Sequence, residues 1–224
     1  MEVDKNNVEY LPLQAFSYKK EEVSYDPKEN FRDDGSYRLD FNGERDSVCV
    51  GAYMNVAGPK DEEFAGKLLG THSNHGKNSG SYVIGIRLDG EKVRLRKEIH
   101  GIGKVNDTGE DYTKNIKPTS LKLGDLRKKW IGLMYFKINQ ANGNVLCQAF
   151  VDTTGLDSDG NPRNNWQQIF ECVDDGTIAK DEFKPIWLKP SQGPKKTQNT
   201  IRVDGQKKNT YDYKFAFCRE IIHL

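Results

Sequence analysis

Two alternating runs of apolar and polar residues flank the dipeptide Asp89-Gly90, and this pattern constrains the fold most. The runs cover residues 81–88 and 91–100, SYVIGIRL and EKVRLRKEIH. Alternation with a period of two is typical of a strand that is buried on one face. Asp-Gly between two such runs indicates a β-hairpin, because both residues accept positive φ. We therefore predict antiparallel pairing, with Ile86 opposite Val93 and Ile84 opposite Leu95.

Further short strands follow from the same alternation. They are predicted at residues 36–41, 47–56, 130–139, 145–152 and 166–173 and in the terminal run 211–224. The segments 57–80 and 174–210 are predicted as loops, and 119–129 could form one or two helical turns. Many short strands between Gly-rich turns predict an all-β fold, a two-sheet antiparallel jelly-roll sandwich. The length fits an N-terminal arm or edge strand over residues 1–35 and a single jelly-roll domain over residues 36–224.

Charge and hydropathy limit the partners that we expect. The chain has 34 Lys and Arg against 33 Asp and Glu, for a net charge of +1. This balance gives no case for nucleic acid, and no run approaches the roughly 18 apolar residues of a membrane helix. The N-terminus shows no signal-peptide pattern. The sequence does not determine the cellular compartment. An extracellular or cell-surface location is expected if this sequence is the mature form.

Residues with metal-binding chemistry lack a convincing ligand set. Cys49, Cys147, Cys172 and Cys218 are far apart, inside strand-like runs. Four buried thiols are predicted, with one or two disulfides as the alternative. His72 and His75 have no evident third ligand, and the Asp-rich segment 157–161 fits a turn better than a calcium loop. We therefore predict neither a metal nor a cofactor.

The polar face of the first hairpin is the main candidate site. By pleat geometry one side of the hairpin presents six charged or ionisable residues: Arg87, Lys92, Arg94, Arg96, Glu98 and His100. Like charges opposite each other destabilise a sheet, so an anionic ligand over this face is one interpretation. A solvated outer face is the other. Glu98 beside His100 suits acid–base chemistry.

The second hairpin adds three candidates. It consists of WIGLMYFKIN, the turn QANGN and VLCQAFVD. Its alternation predicts that one set of residues from each strand faces the core. The first strand contributes Trp130, Met134, Phe136 and Ile138, and the second contributes Val145, Cys147, Ala149 and Val151. The opposite face is then predicted to present Tyr135, Lys137 and Gln148 to a ligand.

Four segments together resemble the concanavalin A-like lectin/glucanase superfamily, including its laminin-G-like proteins. They are the strand 47–56, W-x-G-x-x-Y from Trp130 to Tyr135, the V-D-ending run from Val145 to Asp152, and Arg219-Glu220-Ile221. Within this superfamily, jelly-roll alginate lyases carry a Q-I-H motif, for which Glu98-Ile99-His100 stands here. Their early arginine strand and late Tyr-x-Lys segment are matched by Arg38 and by Tyr211, Tyr213 and Lys214.

The resemblance implies β-elimination on a uronate as the leading function. Arg87, Arg94 or Arg96 would neutralise the substrate carboxylate, with Glu98, Lys137 and Gln148 as further substrate contacts. His100 would be the base, and Tyr213 or Tyr135 the acid. A polysaccharide lyase acting on an acidic glycan is therefore the first expectation. A non-catalytic lectin-like module and a structural or interaction β-sandwich are the alternatives. A glucanase-type glycosidase is disfavoured, since no E-x-D-x-x-E run occurs.

Overall fold

The described part of the computed structural model consists of strands and the turns between them. It covers residues 16–18, 37–42, 47–60, 63–71, 79–100, 122–176, 197–204 and 210–223. The strands are β1 Phe16–Tyr18, β2 Tyr37–Asn42, β3 Val48–Ala57, β4 Glu63–Thr71, β5 Ser79–Arg87, β6 Val93–His100, β7 Trp130–Asn139, β8 Val145–Asp152, β9 Gln167–Asp174, β10 Thr197–Asp204 and β11 Thr210–His223. These ranges contain no helix that is long and apolar enough to cross a membrane.

The strands form two antiparallel sheets. The six-stranded sheet has the order β1-β11-β3-β7-β8-β9, and the five-stranded sheet has the order β2-β10-β4-β5-β6. Each neighbouring pair is antiparallel. The prediction of an all-β, two-sheet jelly-roll sandwich is confirmed.

The main core lies between the two sheets. Alternate residues of β3, β5, β6, β7 and β8 form one buried cluster, which includes Val50, Ile84, Leu95, Leu133 and Cys147. Fully burying each such side chain contributes about 1.5–3 kcal/mol. A second buried cluster, with Met134, Phe136 and Phe150, covers the outer face of the six-stranded sheet. Strand β7 is therefore buried on both faces.

The first hairpin forms as predicted. Ile86 lies opposite Val93 and Ile84 opposite Leu95. The connection is longer than the dipeptide, because Arg87 N donates to Lys92 O at 2.9 Å and Gly90 N donates to Arg87 O. Gly90 has φ +70°, and a Cβ there would lie 2.1 Å from the carbonyl oxygen of Gly124. The turn therefore requires glycine for its backbone conformation and for the close approach of a neighbouring segment.

The faces predicted for the second hairpin are wrong by one residue. Tyr135 lies opposite Ala149 and Lys137 opposite Cys147, so these four residues share the inner face. The reason is the loop, where Gln140 N donates to Asn144 O at 2.9 Å. Three residues, 141–143, therefore separate the last paired positions. An odd loop places residues of the same parity opposite each other, whereas the predicted faces required an even loop.

Two strands occur where loops were predicted. Strand β4 lies within the segment 57–80, and β10 lies within 174–210. Strand β10 pairs with both β2 and β4, so it is an interior strand of the five-stranded sheet. Both strands have weak intrinsic signals, since β4 contains Gly66 and Gly70 and β10 begins with the polar run TQNT. Pairing on both sides overrides such local preferences.

The cysteines lie in strands, as predicted. Cys49, Cys147 and Cys218 are buried, Cys172 is half-buried, and none of the four forms a disulfide. The prediction that Cys49 and Cys147 are buried in strands is confirmed. Cys49 belongs to the outer cluster and Cys147 to the cluster between the sheets.

Candidate functional site

The outer surface of β4, β5 and β6 carries the arginines of the candidate site. Arg87 lies opposite Glu63 of β4, and Gly85 lies opposite Arg94 of β6. The residues that alternate with them, such as Ile84 and Leu95, belong to the core. These four residues therefore lie on the side that faces away from the core. We refer to Glu63, Gly85, Arg87 and Arg94 as the arginine face.

Glu63 crosses β5 to reach Arg94. Its Oε1 lies 2.6 Å from Arg94 Nε. A Cβ at Gly85 would lie 2.7 Å from Glu63 Oε2, so the carboxylate occupies space that any larger residue would fill. The Glu63 side chain is 8% exposed, while that of Arg94 is 41% exposed. The glycine inside β5 thus permits an ion pair that orients a solvent-accessible guanidinium.

Arg87 has an acidic partner of its own. It forms an ion pair with Asp89 in the hairpin turn, and its side chain is 27% exposed. The exposed Lys92 lies across from Arg87, and the charge of Asp89 offsets the repulsion between these two cations. The arginine face is therefore compensated in part by Glu63 and Asp89. A bound anion is not required for its stability.

Strand β6 continues the same row of positions beyond Arg94. Arg96 lies opposite Val83, Glu98 opposite Ser81 and His100 opposite Ser79. The side chains of Arg96, Glu98 and His100 lie outside the described part of the structure. The register alone places these residues at alternate positions in line with Arg94.

Four other predicted site residues do not reach the arginine face. Tyr135 and Lys137 are fully buried between the sheets. Tyr213 lies opposite Met54 and packs against the same inner cluster. Gln148 shares the outer face of the six-stranded sheet with Phe136, and its Nε2 donates to Glu171 Oε2 at 2.7 Å. The three-residue loop explains why Tyr135 and Lys137 share a face with the inward Ala149 and Cys147. Gln148 misses the arginine face because β8 belongs to the other sheet.

Arg38, the early arginine of the lyase-like pattern, is also distant from β6. It lies in β2, opposite Arg202 of β10. Strands β2 and β6 are the two edges of the five-stranded sheet. Three strands therefore separate Arg38 from His100, which corresponds to roughly 19 Å at the usual strand spacing.

The hydroxyl of Tyr135 is a buried polar group that is unsatisfied within the described residues. Its oxygen is buried and has no hydrogen-bond partner there. Burial raises the pKa of Tyr135 well above its usual value, and the negative charge of Glu63 adds to this shift. The hydroxyl therefore stays protonated, and its burial lowers stability because no described residue offers it a hydrogen bond.

Replacing Tyr135 with phenylalanine is expected to stabilise the fold by about 1–2 kcal/mol, because it removes an unsatisfied polar atom while keeping the ring. Chemical denaturation would measure the change. Tyr53→Phe is the matched control, since the Tyr53 hydroxyl donates to Asp152 at 2.7 Å and accepts from Asn164 N at 3.1 Å. It should lower stability. A destabilised Tyr135→Phe variant would contradict this account of the hydroxyl.

Asp152, which ends the V-D motif, organises the loop after β8. Its Oδ2 accepts from the Tyr53 hydroxyl and from Asn165 N at 3.1 Å. Its Oδ1 accepts from Thr154 N at 2.8 Å and from Gly155 N. A fully buried carboxylate with this many donors fixes a loop. The motif therefore has a structural explanation.

The Asp-rich segment of this loop forms a turn, as favoured from the sequence. Asp157 Oδ1 accepts from Asp159 N at 3.0 Å and from Asn161 N at 2.8 Å. These backbone donors lower the pKa of Asp157 and stabilise the turn. In the described ranges no group of three His, Cys, Asp or Glu residues could hold a metal ion.

Glu63 is the site residue that the sequence interpretation missed. The segment 57–80 was predicted as a loop, so Glu63 had no assigned face. The available signal was Gly85, because a glycine in the middle of an alternating strand often marks a close approach by another group. That group is the Glu63 carboxylate.

Comparison with known proteins supplies no family. No protein-family model and no curated protein sequence matches the chain. Sheep galectin-11 in complex with glycerol aligns over 80% of this chain and 98% of its own, with 14% identity and a TM-score of 0.39. The alginate lyase Aly36B aligns over 89% and 86%, with 10% identity and a TM-score of 0.41. The Caenorhabditis elegans galectin LEC-6 aligns over 86% and 99%, with 9% identity and a TM-score of 0.35.

Proposed function

We propose that this jelly-roll protein binds a uronate-containing polysaccharide or oligosaccharide on the arginine face. The observation that carries the proposal is the placement of two partly exposed guanidinium groups, Arg87 and Arg94, on one outward sheet surface. Each is oriented by a neighbouring carboxylate. Arg96 continues the row by register.

The chemistry of an acidic sugar matches this arrangement. The Glu63 contact engages Nε of Arg94, so the terminal amino groups of that guanidinium remain for a second carboxylate. A planar guanidinium binds such a group through two parallel hydrogen bonds. The partly exposed guanidinium groups of Arg87 and Arg94 can also donate hydrogen bonds to sugar hydroxyls. A uronate offers both kinds of group on one ring.

Cleavage of the same glycan by β-elimination is the second candidate. It is favoured by the register of β6, which places Glu98 and His100 at positions in line with Arg94. Elimination also needs an acid for the leaving oxygen. Tyr135 is buried between the sheets, and Tyr213 packs against the inner cluster. Binding without turnover therefore ranks above cleavage.

A panel of uronate polymers tests both candidates together. We expect the protein to bind at least one polymer with an affinity that weakens as salt is added. In the same incubations no ultraviolet absorbance of an unsaturated uronyl product should appear. His100→Ala should then weaken binding by less than about tenfold. Product formation that His100→Ala abolishes would replace the binding proposal with the lyase, and absence of binding to every polymer would contradict both.

A further inference from the structure

Cys147 and Cys172 lie directly opposite each other in the β8–β9 pair. Cys147 is buried in the cluster between the sheets, and the half-buried Cys172 packs against the same cluster. Cross-strand partners place their side chains on one face of the sheet. The two thiols are therefore neighbours on the inner side of the six-stranded sheet, at the edge that β9 forms.

This placement meets the distance requirement of a disulfide. Directly opposed residues of antiparallel strands have Cα atoms about 4.5–5.5 Å apart, and disulfides join Cα atoms about 4.4–6.8 Å apart. The Cβ atoms of such a pair start slightly farther apart than a relaxed disulfide prefers. A bond here would therefore be reducible more easily than an unstrained one.

The other two cysteines provide an internal contrast. Cys49 and Cys218 lie on the neighbouring strands β3 and β11, where Cys49 pairs with Arg219 and Cys218 with Val50. Cys49 belongs to the outer cluster and Cys218 to the inner one. Their side chains point to opposite faces of the sheet, which excludes a bond between them without backbone movement.

We propose that Cys147 and Cys172 are a modification site at which a reversible disulfide ties the edge strand β9 to β8. The oxidant is a small-molecule disulfide of the glutathione class. The Cys172 thiolate attacks one sulfur of the oxidant, whose S–S bond breaks and releases one thiolate. The Cys147 thiolate then attacks Cys172 Sγ and releases the second. Two protein thiols are oxidised, one small-molecule disulfide is reduced to two thiols, and these take up the two protons.

The surroundings of Cys172 set the rate of the first step. Burial, with the nearby charges of Asp174, Asp175 and Glu171, raises the pKa of Cys172 to about 11. The thiolate is the attacking species, so exchange is slow at neutral pH and accelerates as the pH rises. The bond closes a loop of roughly 25 residues between the two positions and should raise the melting temperature by roughly 5–10 °C.

The test is equilibration of the unaltered chain in glutathione redox buffers at about pH 8.5, where more thiolate forms. Alkylation after denaturation and mass spectrometry would count the remaining thiols. We expect two of the four thiols to be protected, one cross-linked peptide pair that contains Cys147 and Cys172, and the rise in melting temperature. Four alkylated thiols in the most oxidising buffer would overturn the proposal.

Two variants locate the bond. The double change Cys49→Ser and Cys218→Ser should leave the cross-link unchanged, whereas Cys147→Ser should leave glutathione attached to Cys172, because the second attack is lost. A cross-link that includes Cys49 or Cys218 contradicts the proposed pairing. So does a stable glutathione adduct on Cys172 in the unaltered chain.

Discussion

Replacing Asp152 with alanine is expected to lower the free energy of unfolding by about 3–5 kcal/mol. The carboxylate is fully buried, and the change leaves several donors without an acceptor, including the Tyr53 hydroxyl and the amides of Thr154 and Asn165. Each unsatisfied buried donor costs about 1–3 kcal/mol, with partial relaxation of the loop. Urea denaturation followed by tryptophan fluorescence would measure the loss, since Trp166 follows this loop.

Asp157→Ala is the matched control for this prediction. Asp157 lies in the same loop and also accepts from two backbone amides. These contacts are exposed, so water can replace the lost acceptor, and we expect a change below about 1 kcal/mol. Equal losses for the two variants would show that burial of Asp152 is not the source of its effect.

The two hairpins show what an alternating sequence determines and what it leaves open. Alternation identifies which residues of one strand share a face, and this held for both hairpins. The relative phase of two strands depends on whether the loop has an even or an odd number of residues. Asp89-Gly90 predicts an even connection, and Ile86 meets Val93 as expected. QANGN places five residues between Asn139 and Val145, an odd connection, whereas the predicted faces required an even one. Tyr135 and Lys137 therefore share the inner face with Ala149 and Cys147.

The apolar content of β7 made that phase harder to predict. Both of its faces are buried, because Met134 and Phe136 belong to one cluster and Leu133 and Tyr135 to the other. When one face is polar, hydrophobic burial selects the phase. Strand β7 offers no such contrast, so the sequence could not distinguish the inner face from the outer one.

The candidate site was predictable in part. Its arginines come from a hairpin that the sequence predicts, whereas Glu63 comes from β4, which was predicted as a loop. The row from Arg87 to His100 follows from one hairpin and its pleat. Glu63 belongs to β4, whose pairing with both β10 and β5 is a tertiary property that its Gly-rich sequence does not signal. The sequence therefore indicated an excess of cations on this face, and the structure adds the carboxylate that holds Arg94.

The combined change of Arg87, Arg94 and Arg96 to alanine is expected to weaken binding of a uronate polymer by at least about 100-fold. A guanidinium–carboxylate contact contributes about 1–3 kcal/mol, and neighbouring contacts do not add fully. Because Arg94→Ala leaves Glu63 without its ion pair, the triple lysine variant serves as a second test. The lysine variant keeps the charges but loses the bidentate contacts, so its affinity should lie between that of the unaltered chain and that of the alanine variant.

Retention of the chain on an immobilised uronate polymer, measured at low and high salt, shows whether the arginine face binds the glycan. The control is the triple change of Arg127, Arg163 and Arg219 to alanine, which removes the same charge from positions outside the arginine face. We predict that the unaltered chain and this control are retained at low salt and released at high salt, while the Arg87, Arg94 and Arg96 alanine variant is not retained. Equal retention of all three folded proteins would contradict binding at the arginine face.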